Sequence, residues 1–269
     1  MSYRMLAHRD HRKTWRCGQL HIRMVSDYRH VMRTLQFMAI MALLAGGCCS
    51  SDRKLSDSGD SLGGDQRIQH LFNGRDLDGW IAYSRDGLSS DGGSWSVKDG
   101  ILCCEGQPIG YLRTTQKYTN YVLTLKWRFD PDRGAGNSGV LLRVIGEDTV
   151  WPNSIEAQLH SRNAGDIWNI GNFPMTTDSS RTNGRRTRKE HATNEKPLGE
   201  WNTYRIVLDG ENLELSVNGL VQNVATDCRV VPGYIALQSE GAPIQFKDII
   251  LSPVSGDGRD SSETSTRKE

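Results

Sequence analysis

Apolar and polar residues alternate with a period of two through much of this chain. In "YVLTLKWRFD", Leu123, Leu125, Trp127 and Phe129 fall on one side, and Val122, Thr124, Lys126 and Arg128 on the other. Successive side chains of a β-strand point to opposite faces, so this run predicts a strand that buries one face. Similar runs recur in "SWSVKDGILCCEG", "SGVLLRVIG", "SIEAQLH", "WNTYRIVLDG", "NLELSVNGLVQNVA", "GYIALQSE" and "IQFKDIILSP". Asp99-Gly100, Asp209-Gly210 and Asn218-Gly219 stand between such runs, as the tight turns of hairpins do. Nothing between residues 66 and 253 repeats its apolar positions at helical spacing. The expectation is an all-β domain, an antiparallel two-sheet β-sandwich or jelly roll of about a dozen strands. Trp80, Trp95, Trp127 and Trp201 are expected in its core.

The flanks break this pattern. Residues 37–45, "FMAIMALLA", are an apolar run far shorter than the ~20 residues of a membrane-spanning helix. Arg33 precedes the run and "GGCCS" follows it, which reads as an export signal. Cys48, after Ala45-Gly46-Gly47, resembles the lipidated cysteine of a bacterial lipoprotein, although Cys49 competes for the role and position 45 is more often Leu. Residues 1–31 read as a non-native leader before a true start at Met32, or at Met24, and 32–48 as the signal. The Ser-, Asp- and Gly-rich residues 49–65 read as a flexible linker, residues 66–253 as the folded domain, and 254–269 as a disordered tail. These features predict an exported protein of the periplasm or cell envelope, in contact with membrane only through a lipid anchor.

Composition narrows the partners. A net charge of +1 supplies no field for nucleic acid or an anionic membrane surface. Seven Trp and 28 Gly suit a turn-rich β-domain. Cys103, Cys104 and Cys228 read as packed small residues, with a bridge from one of the adjacent pair to Cys228 as the alternative in an exported protein. No CxxC spacing suggests structural zinc. Residues 172–197 are long, polar and rich in Arg and Lys. A solvated excursion is the ordinary reading of such a segment, and a lid or wall beside a cleft that meets an anionic or polyhydroxy ligand, with Arg185, Arg186, Arg188 and Lys189 clustered on it, is the other.

The stretch "NSIEAQLH" places Glu156, Gln158 and His160 at alternate positions, hence on one face of a strand, with Ile155, Ala157 and Leu159 on the opposite face. A solvated outer face is the usual meaning of such a row. An acid, an amide and an imidazole side by side also make a proton-transfer site.

Several motifs together favour the second meaning. "LFNGRDLDGW", "WSVKDGILCCEGQPIGYLRT", "YTNYVLTLKWRF", "GNSGVLLRV", "WPNSIEAQLHSRNAGDIWNI", "GEWNTYRIVLDG", "VNGLVQN" and "GYIALQSEGAPIQFKDIIL", in this order, resemble the 3-keto-disaccharide hydrolase family over nearly all of residues 66–252. The resemblance implies a concanavalin A-like sandwich whose cleft takes an oligosaccharide or 3-keto-glycoside. It also implies cleavage of sugars oxidised at carbon 3, by hydrolysis or by elimination and hydration.

A ketone at carbon 3 acidifies the hydrogen on carbon 2, so the site needs a base, an acid for the leaving oxygen and a group for the enolate. Glu156 and His160 are the catalytic candidates, and also the tentative ligands of a divalent cation that would polarise the ketone. Asn137, Gln158, Asp166, Gln238 and Glu240 are candidate hydroxyl binders, Arg143 a partner for the enolate oxygen, and Trp168 a platform for the sugar ring. Laminarinase-type enzymes of this fold carry two carboxylates at alternate positions on one strand. Here the strand holds one, which favours a keto-sugar enzyme over an ordinary two-carboxylate glycoside hydrolase; Glu240 is the candidate substitute, at a distance the sequence does not give. A lectin-like binding module without catalysis is the reading from another class.

Overall fold

The computed structural model describes residues 67–89 and 91–254; the expected leader, signal, linker, Cys48 anchor and the tail beyond residue 254 lie outside them. Seventeen strands, and no helix, form among the described residues. Eight make one sheet: β1 (Gln69–His70), β4 (Trp95–Lys98), β5 (Ile101–Cys104), β7 (Tyr121–Phe129), β13 (Asn202–Asp209), β14 (Asn212–Val217), β15 (Leu220–Ala225) and β17 (Ile244–Ser252). Nine make the other: β2 (Trp80–Ser84), β3 (Gly87–Ser89), β6 (Gly110–Thr114), β8 (Gly139–Ile145), β9 (Asn153–Gln158), β10 (Ile167–Ile170), β11 (Thr182–Asn183), β12 (Arg186–Thr187) and β16 (Tyr234–Ser239). The first runs β15-β14-β13-β7-β17-β5-β4, with β1 beside β17, and the second β11-β12-β10-β9-β8-β16-β6-β2-β3. All their pairings are antiparallel.

Alternation decides what lies between the sheets. Leu123, Leu125, Trp127 and Phe129 of β7 are buried and join one cluster with Val140, Leu142, Ile155, Ala157 and Leu237 of the facing sheet. Asp99-Gly100 and Asn218-Gly219 have positive φ at both residues, as a two-residue hairpin turn matched to strand twist requires. Trp80, Trp95 and Trp127 are core residues. Trp201 is not. It precedes β13, whose inward residues begin at Asn202, so it takes the outward parity. There its half-exposed ring lies 4.5 Å from the Arg128 guanidinium and 4.4 Å from the Lys247 ammonium. Cys103, Cys104 and Cys228 are all free thiols.

Arg143 departs from its expected place in the cleft. It sits with φ +50 in an irregular stretch of β8, where the register to β9 shifts between Leu142 and Ile145. Its side chain is fully buried, and its guanidinium donates to four backbone carbonyls: Cys228 (3.2 Å), Arg229 (2.7 Å), Gly210 (2.6 Å) and Thr119 (3.4 Å). These belong to three separate connections, so one buried cation ties together one end of the sandwich. Burial lowers its pKa, and the carbonyl dipoles stand in for a counter-ion. Arg143→Met is expected to lower stability by about 3 kcal/mol or more in urea unfolding, because it leaves several buried carbonyls without donors. An Arg143 that served only a ligand would shift stability by no more than about 0.5 kcal/mol.

Candidate active site

The outer face of the nine-stranded sheet carries Glu156, Gln158, Trp168 and Gln238 of the candidate residues. Residues paired directly across antiparallel strands share a face, and the register aligns Tyr83, Tyr111 and Gln238 across β2, β6 and β16. It also pairs Gly139 with Gln158 and Leu141 with Glu156 across β8 and β9, and Glu156 with Trp168 and Trp168 with Arg186 across β10 and β12. Glu156, Gln158, Gln238 and Tyr111 are buried although this face turns away from the space between the sheets. Tyr111, Leu141, Val144, Ile170 and Ala236 form a small apolar cluster of their own there, with Tyr83 and Tyr234 against it. The floor of this face is therefore recessed.

Gly139 is the reason two polar side chains meet on that floor. A Cβ at position 139 would stand 2.4 Å from Gln238 Oε1 and 2.7 Å from Glu156 Oε1. The glycine lets the carboxamide from β16 and the carboxyl from β9 reach over β8 toward each other. The Gln238 carboxamide lies close enough to favour the ionised form of Glu156. Yet neither of its buried polar atoms makes a hydrogen bond of normal geometry within the described chain.

Burial is the main cause that pushes the Glu156 pKa up to about 8, and the charge of Glu240 adds to it; Gln238 and Arg185 pull weakly the other way. Burial also raises the pKa of Glu240, at the end of β16 and half-buried. Two carboxyls thus lie within electrostatic reach, the deeper one protonated at neutral pH. Glu240 is the carboxyl whose charge is felt by Glu156 from outside its own strand.

Two structures wall the floor. The connection between β8 and β9 folds across the sheet, where Asp148 accepts from Tyr111 Oη (2.6 Å) and from Arg113 Nε and Nη2 (2.8 and 2.9 Å). Burial pulls the Asp148 carboxyl up, but these bonds outweigh it and hold it below its ordinary value. On the other side, the polar segment expected as an excursion or a wall forms the hairpin of β11 and β12 and extends the sheet. The Arg185 guanidinium at its turn lies 5.6 Å from the centre of the half-buried Trp168 ring.

The other expected residues divide. Asn137 adjoins this floor along the chain, and its buried Oδ1 has no partner among the described residues. Gln158 shares the Glu156 face, but its Oε1 accepts from the backbone N–H groups of Leu159 and His160 (both 2.8 Å), so the carboxamide fastens the strand end. Asp166 is buried and spent internally: Arg186 donates to Oδ2 (2.7 Å) and the Lys189 N–H to Oδ1 (2.8 Å). It anchors the hairpin where a hydroxyl-binding role was expected. β9 ends at Gln158, so His160 falls beyond the row; it is exposed, with Nδ1 beside Ser161 O (3.0 Å) and Asn163 Nδ2 (2.9 Å).

A buried acid and an exposed imidazole past the strand end do not make the expected cation site, and no three His, Cys, Asp or Glu side chains gather to hold a metal among the described residues. Gly139, Tyr111 and Asp148 were not foreseen as parts of a site, and Arg185 only as one of the cations of the segment that could wall a cleft. A glycine inside the strand pattern "NSGVLLRV" was the one available signal, since such glycines mark close approaches.

Residues 67–252 match the profile of a family described as the 3-keto-alpha-glucoside-1,2-lyase-like domain. No curated protein matches the sequence. Two crystal structures of Parabacteroides distasonis proteins, assigned provisionally as glycosyl hydrolases, share the fold. One is 19% identical with a TM-score of 0.52, over 71% of this chain and 95% of the other. The second is 20% identical with a TM-score of 0.50, over 70% and 100%. A Bacillus licheniformis β-glucanase superposes less well, at 13% identity and a TM-score of 0.47 over 71% and 99%.

Two tests follow from the geometry. Gly139→Ala should push the Glu156 and Gln238 side chains apart while the sandwich persists, and ligand binding or turnover should fall by about 100-fold with a near-native circular dichroism spectrum. Unchanged function in that variant would show that the two groups need not meet. The second test uses pH. The folded-state pKa of Glu156 lies above its ordinary value, so its contribution to stability is complete below about pH 4.5 and is lost as pH rises through about 8. Glu156→Gln removes that loss, so its melting temperature should gain on wild type across this window and hold the gain above it.

Proposed function

The chain belongs to the 3-keto-alpha-glucoside-1,2-lyase-like family, which is carbohydrate-active, and we propose that it cleaves the glycosidic bond of 3-keto-glycosides with Glu156 and Glu240 as its proton-transfer pair. The observation that carries this reading is the meeting of Glu156 with the unpartnered Gln238 carboxamide on a recessed floor, with Glu240 in electrostatic reach.

The roles follow from depth. Glu240, half-buried, is the more readily ionised and removes the hydrogen on carbon 2. The carbon–hydrogen electron pair becomes an enolate through the carbon 3 ketone, and the Gln238 N–H donates to that oxygen. Glu156 holds its proton up to about pH 8 and gives it to the glycosidic oxygen as the bond to carbon 1 breaks. Hydration reverses the traffic: Glu156 takes a proton from water as its oxygen adds to carbon 1, and Glu240 returns one to carbon 2. Trp168, beside Glu156 in register, supplies the apolar platform for the ring. No step is assigned to a metal, because the donor set does not fit one. The export and Cys48 tether expected from the sequence belong to this proposal too, and would place the enzyme at the cell envelope.

A second reading draws on the same pair. Two interacting carboxyls also suit the hydrolysis of unoxidised glycosides. Exchange of the carbon 2 hydrogen in deuterated water separates the two, since only the keto-sugar route breaks that bond.

Glu156→Gln is expected to cut turnover of a 3-keto-glucoside by at least about 100-fold while the sugar still binds. His160→Ala should cost less than about tenfold, because His160 lies past the strand end. Wild-type protein that binds the keto-sugar without exchange or turnover would leave a lectin-like module. Turnover of unoxidised glucosides without exchange would favour the ordinary hydrolase.

A further inference from the structure

The hairpin beside Trp168 is fastened at many points. Asp166 holds Arg186 and the Lys189 N–H. Asn223 Nδ2 donates to the carbonyls of Gly165, Thr187 and Arg188 (3.2, 3.2 and 3.3 Å). Arg181 is paired with Asp178 and donates to Arg188 O and Asn223 Oδ1. The hydroxyls of Thr177, Thr182 and Thr187 bond to one another, and Lys189 Nζ donates to Arg162 O. Such anchoring fixes the hairpin turn over Trp168 rather than leaving it to solvent.

Among the cations of this hairpin, Arg181 and Arg186 are spent on Asp178 and Asp166. Arg185 has a different environment. Its exposed guanidinium lies over the Trp168 ring and forms no ion pair among the described residues. Trp168 is the register partner of Glu156, so this cation sits at one edge of the proposed reaction site. Glu240 sits toward the other edge. It follows β16, which is three strands from β10 through β8 and β9, about 14 Å across the sheet. The charges that act on Glu156 therefore differ in sign, with Glu240 on its β16 side and Arg185 on its β10 side.

We propose that Arg185 is a specificity residue that selects a sugar carrying an anionic substituent, a carboxylate or a sulfate, on the ring stacked against Trp168. The proposal rests on the reading of this face as a carbohydrate site, and names its substrate class. A guanidinium beside an aromatic ring matches a sugar whose apolar face meets the ring and whose anionic group projects from its edge. Glu156 opposes such a charge little, since burial keeps it protonated near neutral pH. Glu240 would repel the anion at its own edge, which sets the direction in which the sugar lies. A guanidinium already lying over the Trp168 ring on an anchored hairpin loses less freedom on binding than one on a mobile loop, so a charge-assisted pair there adds to affinity.

The test is calorimetric binding to the full chain of methyl glucoside, methyl glucuronide and a 6-sulfated methyl glucoside, none of them oxidised at carbon 3. Wild type should prefer one of the two anionic sugars to the neutral one by about tenfold at low salt, and the preference should shrink as salt rises. The two anionic sugars distinguish carboxylate from sulfate. Arg185→Gln should bring the ratio toward one, and Arg185→Lys should retain part of it. Arg188→Gln removes an exposed charge from the same hairpin and should leave the ratio in place. Equal affinities in wild type, a ratio that survives Arg185→Gln, or one that falls equally in Arg188→Gln would overturn the proposal. Binding of unoxidised sugars does not involve the keto-sugar chemistry, so a preserved charge preference without turnover would sink only the proposed reaction, and turnover without preference only this inference.

Discussion

Position 139 carries no side chain, and the arrangement of the site depends on that. β8 runs between β9 and β16, and any larger residue there would occupy the space in which the Glu156 and Gln238 side chains meet. Their meeting brings a carboxyl and an unpartnered amide onto one buried floor, with a second carboxyl in electrostatic range. Burial then sets the protonation of Glu156, and protonation sets the roles the two acids can play. Only a few local packing contacts separate the missing Cβ from a buried carboxyl that keeps its proton at neutral pH.

Buried polarity is handled differently at two places. At the end of the sandwich, Arg143 keeps its charge because four carbonyls point at it, and the result is a fastening between three connections. On the outer face, the Glu156 carboxyl has no comparable set of donors, so it gives up charge to stay buried. The first arrangement spends both terminal nitrogens of the guanidinium on backbone carbonyls, leaving only Nε without a partner, and is therefore structural. The second leaves the Gln238 amide atoms without partners, which is the state expected of groups that wait for a ligand. Asp166 belongs with the first kind: its two oxygens are consumed in holding the hairpin that presents Arg185.

Much of the fold was legible along the chain. Period-two alternation in β7, the Asp99-Gly100 and Asn218-Gly219 turns and the missing helical repeats define an all-β sandwich, because strand geometry ties spacing directly to facing. The same rule put Glu156 on a face with Gln158. It failed at Arg143, where an irregular register and a positive φ break the alternation, and at His160, where the strand has ended. Trp201 was expected in the core for its large apolar ring, whereas its parity turns it outward between two cations.

The sequence by itself determined which residues can share a face and where the chain must turn, since both depend on neighbours a few positions apart. Only the tertiary structure decided which faces lie side by side. That the Gln238 carboxamide reaches Glu156 two strands away follows from β8 lying between them with a glycine at the crossing. That Arg185 stands over Trp168 follows from a hairpin pinned by Asp166 and Asn223. Distances across a sheet are set by strand order and register, and a slip of one residue would turn every one of these side chains to the other face.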